Sequence, residues 1–183
     1  TTTRSAGEGT PTTKAPDRPR RRRRGGRRRG SRAARDEPVD DSPVAAAARR
    51  LGIRKLHPEQ ERVISAISEG RDVLMVLPTG YGKSACYQVP SMLLPKPTLV
   101  VSPLLALLKD QYDRMIEYGV PCVRLDGSVR GTKRREALER IEEGGPLLVM
   151  TTPETLATRP VTELLAKVGI SLMAIDEAHC ISE

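Results

Sequence analysis

Short apolar runs alternate with longer amphipathic stretches along most of the chain. Five runs of five or six residues are rich in Val, Leu and Ile, as buried parallel strands are, and cover residues 73–77, 98–102, 122–126, 147–151 and 171–176. Between these runs, apolar residues recur at helical spacing over residues 83–94, 104–118, 132–143 and 161–168. This alternation predicts an α/β fold in which helices cover both faces of a parallel sheet.

Two helices are predicted ahead of the first strand. Ser42 followed by Pro43 is a typical helix start, and this helix extends over residues 45–51. Pro58 opens the second helix and Gly70 closes it.

The first 42 residues differ in composition from the rest of the chain. They hold almost no large apolar side chain, and eight of the ten residues 20–29 are Arg. Such a segment cannot bury enough apolar surface to offset its ordering entropy. We therefore predict a disordered basic tail over residues 1–42 and one folded domain over residues 43–183.

The formal net charge of +8 is concentrated in this tail. Residues 1–35 contain 13 Lys and Arg against 2 Asp and Glu, whereas the other 148 residues contain 18 against 21. The domain is mildly acidic, and the tail is a tether for nucleic acid, a localisation signal or neither of these. We expect a reduced, cytoplasmic protein, associated with the nucleoid in a bacterium or nuclear in a eukaryote. No secretory signal, membrane-spanning run or cysteine framework is visible in the sequence.

A phosphate-binding loop is predicted where the first strand meets the next helix, at Pro78, Thr79, Gly80, Tyr81, Gly82, Lys83 and Ser84. Gly80 and Gly82 let backbone N–H groups approach the phosphates of ATP closely. Lys83 can reach the β- and γ-phosphates, and the Ser84 hydroxyl can ligate Mg²⁺. The strict pattern has Gly where this chain has Leu77, but the strand before the loop and the helix after it favour a nucleotide site.

An acidic motif follows the last predicted strand, with Asp176 and Glu177 ahead of Ala178 and His179. Ligands of open α/β sheets bind beyond the carboxyl ends of the strands. Asp176 can hold Mg²⁺ there, and Glu177 can orient and deprotonate the attacking water. An isolated acidic turn is common on protein surfaces, but its pairing with the phosphate loop indicates ATP hydrolysis.

These motifs resemble those of the superfamily-two helicases and, within them, the RecQ family of DNA helicases, whose second motif is of the DEAH type. Five segments carry the resemblance in the family's order: residues 51–60, 77–90, 101–111, 152–154 and 176–182. The Cys-Tyr-Gln-x-Pro and His-Cys-Ile-Ser sequences within them separate RecQ from the broader Asp-Glu-x-His and Asp-Glu-Ala-Asp groups. The resemblance implies a RecA-like P-loop NTPase lobe and an ATP-dependent helicase that unwinds DNA 3′ to 5′.

The resemblance also implies roles for single residues. Gln60 would read the adenine edge through its amide. Ser102, Pro103 and Thr152 would approach the DNA backbone. Lys109, on the helix after Pro103, is either a further DNA contact or a solvated helix charge.

Two positions depart from the family pattern. Ile53 stands where the family has an aromatic residue and His57 where it has an Arg, and both positions normally hold the adenine. Either adenine selectivity is weaker here, or the side chain of Arg54 or Lys55 covers the adenine ring. His57 either contacts the adenine or is a plain helix-start residue. His179 couples the nucleotide site to the family's next motif or is an ordinary loop histidine.

In the family, an aromatic-rich loop, a further strand and a second RecA-like lobe with an arginine finger follow this motif. The chain ends at Glu183, so we expect a lobe truncated after the second motif, unable alone to unwind DNA or to hydrolyse ATP at a helicase rate. The expected partners are single-stranded DNA, duplex junctions and that second lobe, with no membrane.

Two other functions stay open. One is an RNA-directed ATPase of the DEAD/DEAH box type, against which the Cys-Ile-Ser after His179 argues. The other is a nucleic-acid-binding fragment with an inactive nucleotide site, against which the intact phosphate loop and acidic motif argue.

The charge distribution predicts that residues 1–35 supply most of the non-specific affinity for nucleic acid. If about eight arginines contact a single strand, counterion release gives a log–log salt slope of roughly −6. Removing residues 1–35 should lower the affinity for one oligonucleotide and flatten this slope, as measured by salt titration. An unchanged slope in the shortened chain would place the binding surface on the domain.

Overall fold

The structure, a computed structural model, describes residues 40–179. Its strands are β1 (Thr98–Val101), β2 (Cys122–Leu125), β3 (Leu148–Thr151) and β4 (Leu172–Ile175). Its helices are α1 (Pro43–Arg50), α2 (Pro58–Ser68), α3 (Ala85–Ser91), α4 (Leu105–Glu117), α5 (Gly131–Glu142), α6 (Pro153–Leu156) and α7 (Arg159–Val168). The predicted disordered tail lies outside the described residues, except for its last three positions.

All four strands run parallel in the order β2–β3–β1–β4, which confirms the predicted α/β fold. Val101, the last residue of β1, is in register with the last residues of β3 and β4. Ser102, Thr152 and Asp176 directly follow these strands and therefore start from one edge of the sheet. This edge is where open α/β sheets bind their ligands.

Helices cover both faces of the sheet, as the alternating pattern predicts. On one face, Val100 of β1 packs in a core with Leu108 of α4 and with side chains from α1, α2 and α3. On the other face, Leu99 of β1 packs in a core with Ile141 of α5 and Val161 of α7. Burying one such aliphatic side chain contributes about 1.5–3 kcal/mol, so the two cores hold the sheet between its helices.

The predicted strand over residues 73–77 is wrong. These residues form no strand, and the side chains of Leu74 and Val76 are 87 % and 86 % exposed. A strand requires a neighbour that takes up its backbone N–H and C=O groups, and apolar composition alone does not supply one. β4 lies at the edge of the described sheet, with Met173 and Ile175 each 47 % exposed.

Two helix boundaries show how local chemistry acts. The Ser42 hydroxyl accepts a hydrogen bond from the Ala45 N–H at 3.2 Å, which confirms the predicted start of α1. The helix predicted over residues 83–94 is shorter, because α3 begins only after Ser84 and contains Pro90 near its end.

Within residues 40–179, no helix is long and apolar enough to cross a membrane.

Truncation of a buried strand residue and of an exposed residue in segment 73–77 should differ sharply in stability. Leu148 is fully buried, so Leu148→Ala should lower the free energy of unfolding by about 2–5 kcal/mol. Leu74→Ala, which removes the same atoms from an exposed side chain, should change it by less than about 0.5 kcal/mol. Urea unfolding of the 183-residue chain measures both, and comparable losses would show that residues 73–77 pack as a strand.

Candidate nucleotide and metal site

A cavity of about 380 Å³ lies where α2, the phosphate loop, α3 and α4 meet. Its volume is in the range of small-molecule and cofactor sites. The predicted nucleotide residues that line it are Gln60, Gly80, Tyr81, Gly82 and Ser84. Its other walls come from the segment before α2 and from α4, and include Ile53, His57, Gln111, Arg114, Met115 and Tyr118. The structure therefore gathers most of the predicted nucleotide-binding residues around one space, with Thr79 and Lys83 beside them in the loop.

The phosphate loop has the backbone that its glycines allow. Gly80 and Gly82 have φ values of 81° and 78°, in the left-handed region that favours Gly. A Cβ at Gly82 would also lie 2.9 Å from the Gln60 Nε2 atom, so this position admits no side chain without rearrangement. Lys83 Nζ donates a hydrogen bond to the Leu77 carbonyl at 3.2 Å. The predicted lysine thus folds back over its own loop.

Gln60 fastens the phosphate loop to the start of α2. Its side chain is buried, with 4 % of the residue exposed. The amide Nε2 donates to the carbonyls of Tyr81 at 3.2 Å and Gly82 at 2.9 Å, while Oε1 accepts from the His57 N–H at 2.8 Å. Both amide protons are thereby used within the protein. The adenine contact of Gln60 stays a prediction: Oε1 can accept one more hydrogen bond, whereas donation from Nε2 requires that one of its two bonds be exchanged.

Tyr81 ties the middle of the loop to α2 through two contacts that sequence reasoning missed. Its hydroxyl donates to a Glu59 carboxylate oxygen at 2.8 Å, and this bond lowers the pKa of Glu59. Its ring lies 4.6 Å from the His57 ring, centroid to centroid, with a 33° tilt. An aromatic residue between two loop glycines is the sequence feature that could have indicated such an anchor.

Asp176 is held by backbone and side-chain donors at the end of β4. Its Oδ1 accepts from the Glu177 N–H at 3.1 Å, and its Oδ2 lies 3.5 Å from both Tyr87 Oη and Gln111 Nε2. Tyr87 Oη donates to Gln111 Oε1 at 2.5 Å. Burial raises the pKa of Tyr87, so its hydroxyl stays protonated and remains a donor. Sequence reasoning assigned no role to Tyr87 or Gln111, although both stand in segments that carry the resemblance.

Glu177 occupies an unusual backbone conformation. Its φ of 53° lies in the left-handed region, which costs a non-Gly residue of order 1–3 kcal/mol and recurs at functional sites. Its carboxylate lies 3.4 Å from His179 Nδ1. The second acidic residue is thereby turned away from the strand direction and placed beside a histidine, while residues 180–183 lie outside the described residues.

The donor set for a metal consists of oxygen atoms. Asp176 offers a carboxylate and Ser84 a hydroxyl, which are hard ligands of the kind that Mg²⁺ prefers. Mg²⁺ commonly uses one or two carboxylates together with water and substrate phosphates. These two residues therefore fit the predicted ion. No group of three or more His, Cys, Asp or Glu side chains that could hold a metal occurs in residues 40–179.

Ser102 and Thr152, two of the predicted DNA-contacting residues, lie at the carboxyl edge of the sheet, but their side chains form hydrogen bonds within the protein. Ser102 and Thr152 are each 3 % exposed. The Ser102 hydroxyl accepts from the Leu104 N–H at 3.4 Å, and the Thr152 hydroxyl accepts from the Thr155 N–H at 3.3 Å, at the start of α6. Both hydroxyls therefore accept hydrogen bonds within the protein, and contacts of Ser102 and Thr152 with DNA stay predictions.

Lys109 and Pro103 are more accessible. Lys109 Nζ lies 2.9 Å from an Asp113 carboxylate oxygen one turn further along α4, and both side chains are more than half exposed. Pro103 is half-buried between β1 and α4. An exposed pair of this kind contributes little stability, so Lys109 can exchange its partner for a phosphate at small cost.

Comparisons with known proteins point to helicases. Residues 57–183 match the family model described as DEAD/DEAH box helicase. The chain is 37 % identical over 133 residues to the ATP-dependent DNA helicase RecQ of Pasteurella multocida (strain Pm70), covering 73 % of this chain and 21 % of that protein. It is 36 % identical over 137 residues to the enzyme of the same name from Bacillus subtilis (strain 168), covering 74 % and 23 %. The chain thus spans less than a quarter of the length of these relatives.

A solved structure shares the fold. The chain resembles the DUF1998 helicase MrfA, crystallised with DNA and AMPPNP, with a TM-score of 0.59 and 24 % identity over 79 % of this chain and 22 % of that chain. The parallel sheet, the phosphate loop and the acidic motif at the end of β4 agree with this fold and with the family match. The chain belongs to the DEAD/DEAH box helicase family.

Proposed function

We propose that the chain is the ATP-binding part of an ATP-dependent DNA helicase of the RecQ type. One observation carries this proposal: Tyr87, on the helix that follows the phosphate loop, donates to Gln111 Oε1, and Gln111 Nε2 in turn lies 3.5 Å from Asp176 Oδ2, which links the loop to Asp176. A nucleotide in the adjoining cavity would lie against the loop, with an oxygen-rich metal site nearby. The proposed chemistry is transfer of the γ-phosphoryl group of ATP to water.

We propose a role for each of four side chains. Lys83 would exchange its bond to the Leu77 carbonyl for phosphate oxygens, because an ammonium group binds an anionic oxygen more strongly than a neutral carbonyl oxygen. Ser84 and Asp176 would hold Mg²⁺, which neutralises charge on the β- and γ-phosphates. Glu177 would orient the attacking water and accept its proton.

The base of the nucleotide would occupy the wall formed by Ile53, His57 and Tyr81. Ile53 supplies an apolar surface, and the His57 and Tyr81 rings already lie against each other at 4.6 Å. Arg114 of α4 and Tyr118, which directly follows α4, line the same cavity. The base would therefore contact different side chains from those of the family pattern, and we propose that discrimination between adenine and other bases is correspondingly weak.

DNA is the proposed polynucleotide substrate. Two of the relatives are named ATP-dependent DNA helicase RecQ, and a third, 38 % identical over 69 % of this chain, is the ATP-dependent DNA helicase Q5 of Rattus norvegicus. These names favour DNA over RNA and an active nucleotide site over an inactive one. Unwinding would require a second RecA-like lobe, and its 3′ to 5′ direction is part of the proposal.

Removal of the Lys83 charge should weaken ATP binding. The lost charge-assisted contact is worth roughly 1.5–3 kcal/mol, so Lys83→Ala should reduce the affinity for a fluorescent ATP analogue by about tenfold to a hundredfold. Lys167→Ala is the matched control, because Lys167 is exposed and pairs with Glu142 in the packing of α7 with α5. Equal affinities of Lys83→Ala and the wild-type chain would contradict the nucleotide site.

Lys109 should contribute one phosphate contact to DNA binding. Lys109→Ala should lower the affinity of the chain for a single-stranded oligonucleotide and reduce the log–log salt slope by about 0.7. Lys167→Ala, the same truncation on α7, should leave the slope unchanged. If the two variants behave alike, Lys109 is a solvated helix charge paired with Asp113.

A further inference from the structure

Two neutral side chains from two helices converge on the Asp176 carboxylate. Tyr87 belongs to α3, which follows the phosphate loop, and Gln111 belongs to α4, which follows β1. Tyr87 Oη and Gln111 Nε2 each lie 3.5 Å from Asp176 Oδ2, and Tyr87 Oη lies 2.5 Å from Gln111 Oε1. The three side chains thus form one polar cluster that connects three elements of the site.

The direction of the hydrogen bonds follows from the donors available. An ionised carboxylate only accepts, so Gln111 must turn its amide nitrogen towards Asp176 and its oxygen towards Tyr87. The Tyr87 hydroxyl has a single proton, and the short 2.5 Å distance assigns that proton to Gln111 Oε1. Tyr87 therefore fixes the amide of Gln111, and the amide in turn faces the carboxylate.

Burial makes this arrangement specific. Tyr87 is 7 % exposed and packs in the core between the sheet and helices α1 to α4. Its ring cannot move without disturbing that core, and a buried hydroxyl that lost its partner would carry a desolvation penalty. Gln111 is half-buried and also lines the nucleotide cavity. The 3.5 Å separations from Asp176 lie at the long end of the hydrogen-bonding range, so a small shift of α4 makes or breaks the contact.

From this geometry we infer that Tyr87 and Gln111 are positioning residues, which orient the Asp176 carboxylate for Mg²⁺ and make its orientation depend on the placement of α4. The inference rests on the proposed function, because it assumes that Asp176 is a metal ligand. Helix α4 also supplies Arg114 and Met115 to the nucleotide cavity, and Tyr118, which directly follows the helix, lines it as well. One helix therefore contacts both the space for the base and the carboxylate that would hold the metal.

The test is a Mg²⁺ titration of the 183-residue chain with a fluorescent ATP analogue, together with the same binding measurement in EDTA. Tyr87→Phe keeps the buried ring and removes only the hydroxyl, while Gln111→Met keeps the length of the side chain and removes its polar atoms. Each should raise the Mg²⁺ concentration for half-maximal binding by about three- to tenfold, the value of one hydrogen bond. Affinity in EDTA should stay unchanged for Tyr87→Phe, because Tyr87 does not line the cavity. Gln111 does line it, so for Gln111→Met the loss of affinity with Mg²⁺ should exceed the loss in EDTA. The losses in the double variant should add up to less than the sum of the single ones, because both side chains act on the Asp176 carboxylate, while Tyr87 also contacts the Ser84 side chain.

Tyr112→Phe is the matched control, since its ring lies on the same helix but faces Arg124, 5.7 Å from the ring centroid. Tyr112→Phe should leave the Mg²⁺ concentration for half-maximal binding, the midpoint, unchanged from that of the wild-type chain. If Asp176→Asn raises the midpoint but Tyr87→Phe and Gln111→Met do not, the inference is overturned and the proposed function stands. An equal loss of affinity with and without Mg²⁺ would also overturn it, because a merely structural role predicts that result. If Mg²⁺ does not change the affinity of the wild-type chain for the analogue, both the inference and the proposed function are overturned.

Discussion

Each strand of a parallel sheet needs neighbours that take up its backbone groups, and the ladder through β1 is the one on which the site depends. β1 pairs with β3 on one side and β4 on the other. The ladder continues past the strand ends, since the Ser102 N–H donates to the Thr151 carbonyl at 3.0 Å and the Asp176 N–H donates to the Val101 carbonyl at 2.9 Å. Backbone hydrogen bonds alone therefore fix the position of Asp176 at the end of β4, independently of its side-chain contacts.

The phosphate loop is held in a different way. Between residue 40 and the loop the structure has no strand, and residues 73–77 are largely exposed, so the position of the loop depends on Gln60, on Tyr81 and on the packing of α3. One half of the site thus belongs to the sheet, while the other half is attached by a few side-chain bonds. The Tyr87 hydroxyl, next to both Gln111 and Asp176, is where the two halves meet.

The sequence allowed the four observed strands to be predicted to within about a residue or two, because short Val- and Leu-rich runs between amphipathic helices have few other solutions in a compact chain. The run at residues 73–77 has a similar composition, but the strand predicted there is wrong. A strand forms only where a neighbouring strand pairs with its backbone, and composition does not reveal that neighbour. The role of Gln60 could not be predicted for a similar reason: the distance from an amide to the loop carbonyls is set by tertiary packing. At Thr152, by contrast, the local sequence is sufficient. Thr-Pro-Glu is a helix-start pattern, and it explains why the Thr152 hydroxyl accepts a hydrogen bond from the first turn of α6.

The outer edge of β4 has a consequence for the behaviour of the isolated chain in solution. An edge strand presents unpaired backbone groups to any other strand, and here half-exposed Met173 and Ile175 add apolar surface beside them. Two copies of the chain can satisfy those groups by pairing edge to edge, while the net charge of +8 keeps the copies apart. Salt shortens the reach of that repulsion to about 8 Å at physiological ionic strength. Raising the salt concentration therefore weakens the electrostatic barrier to edge-to-edge pairing of two copies.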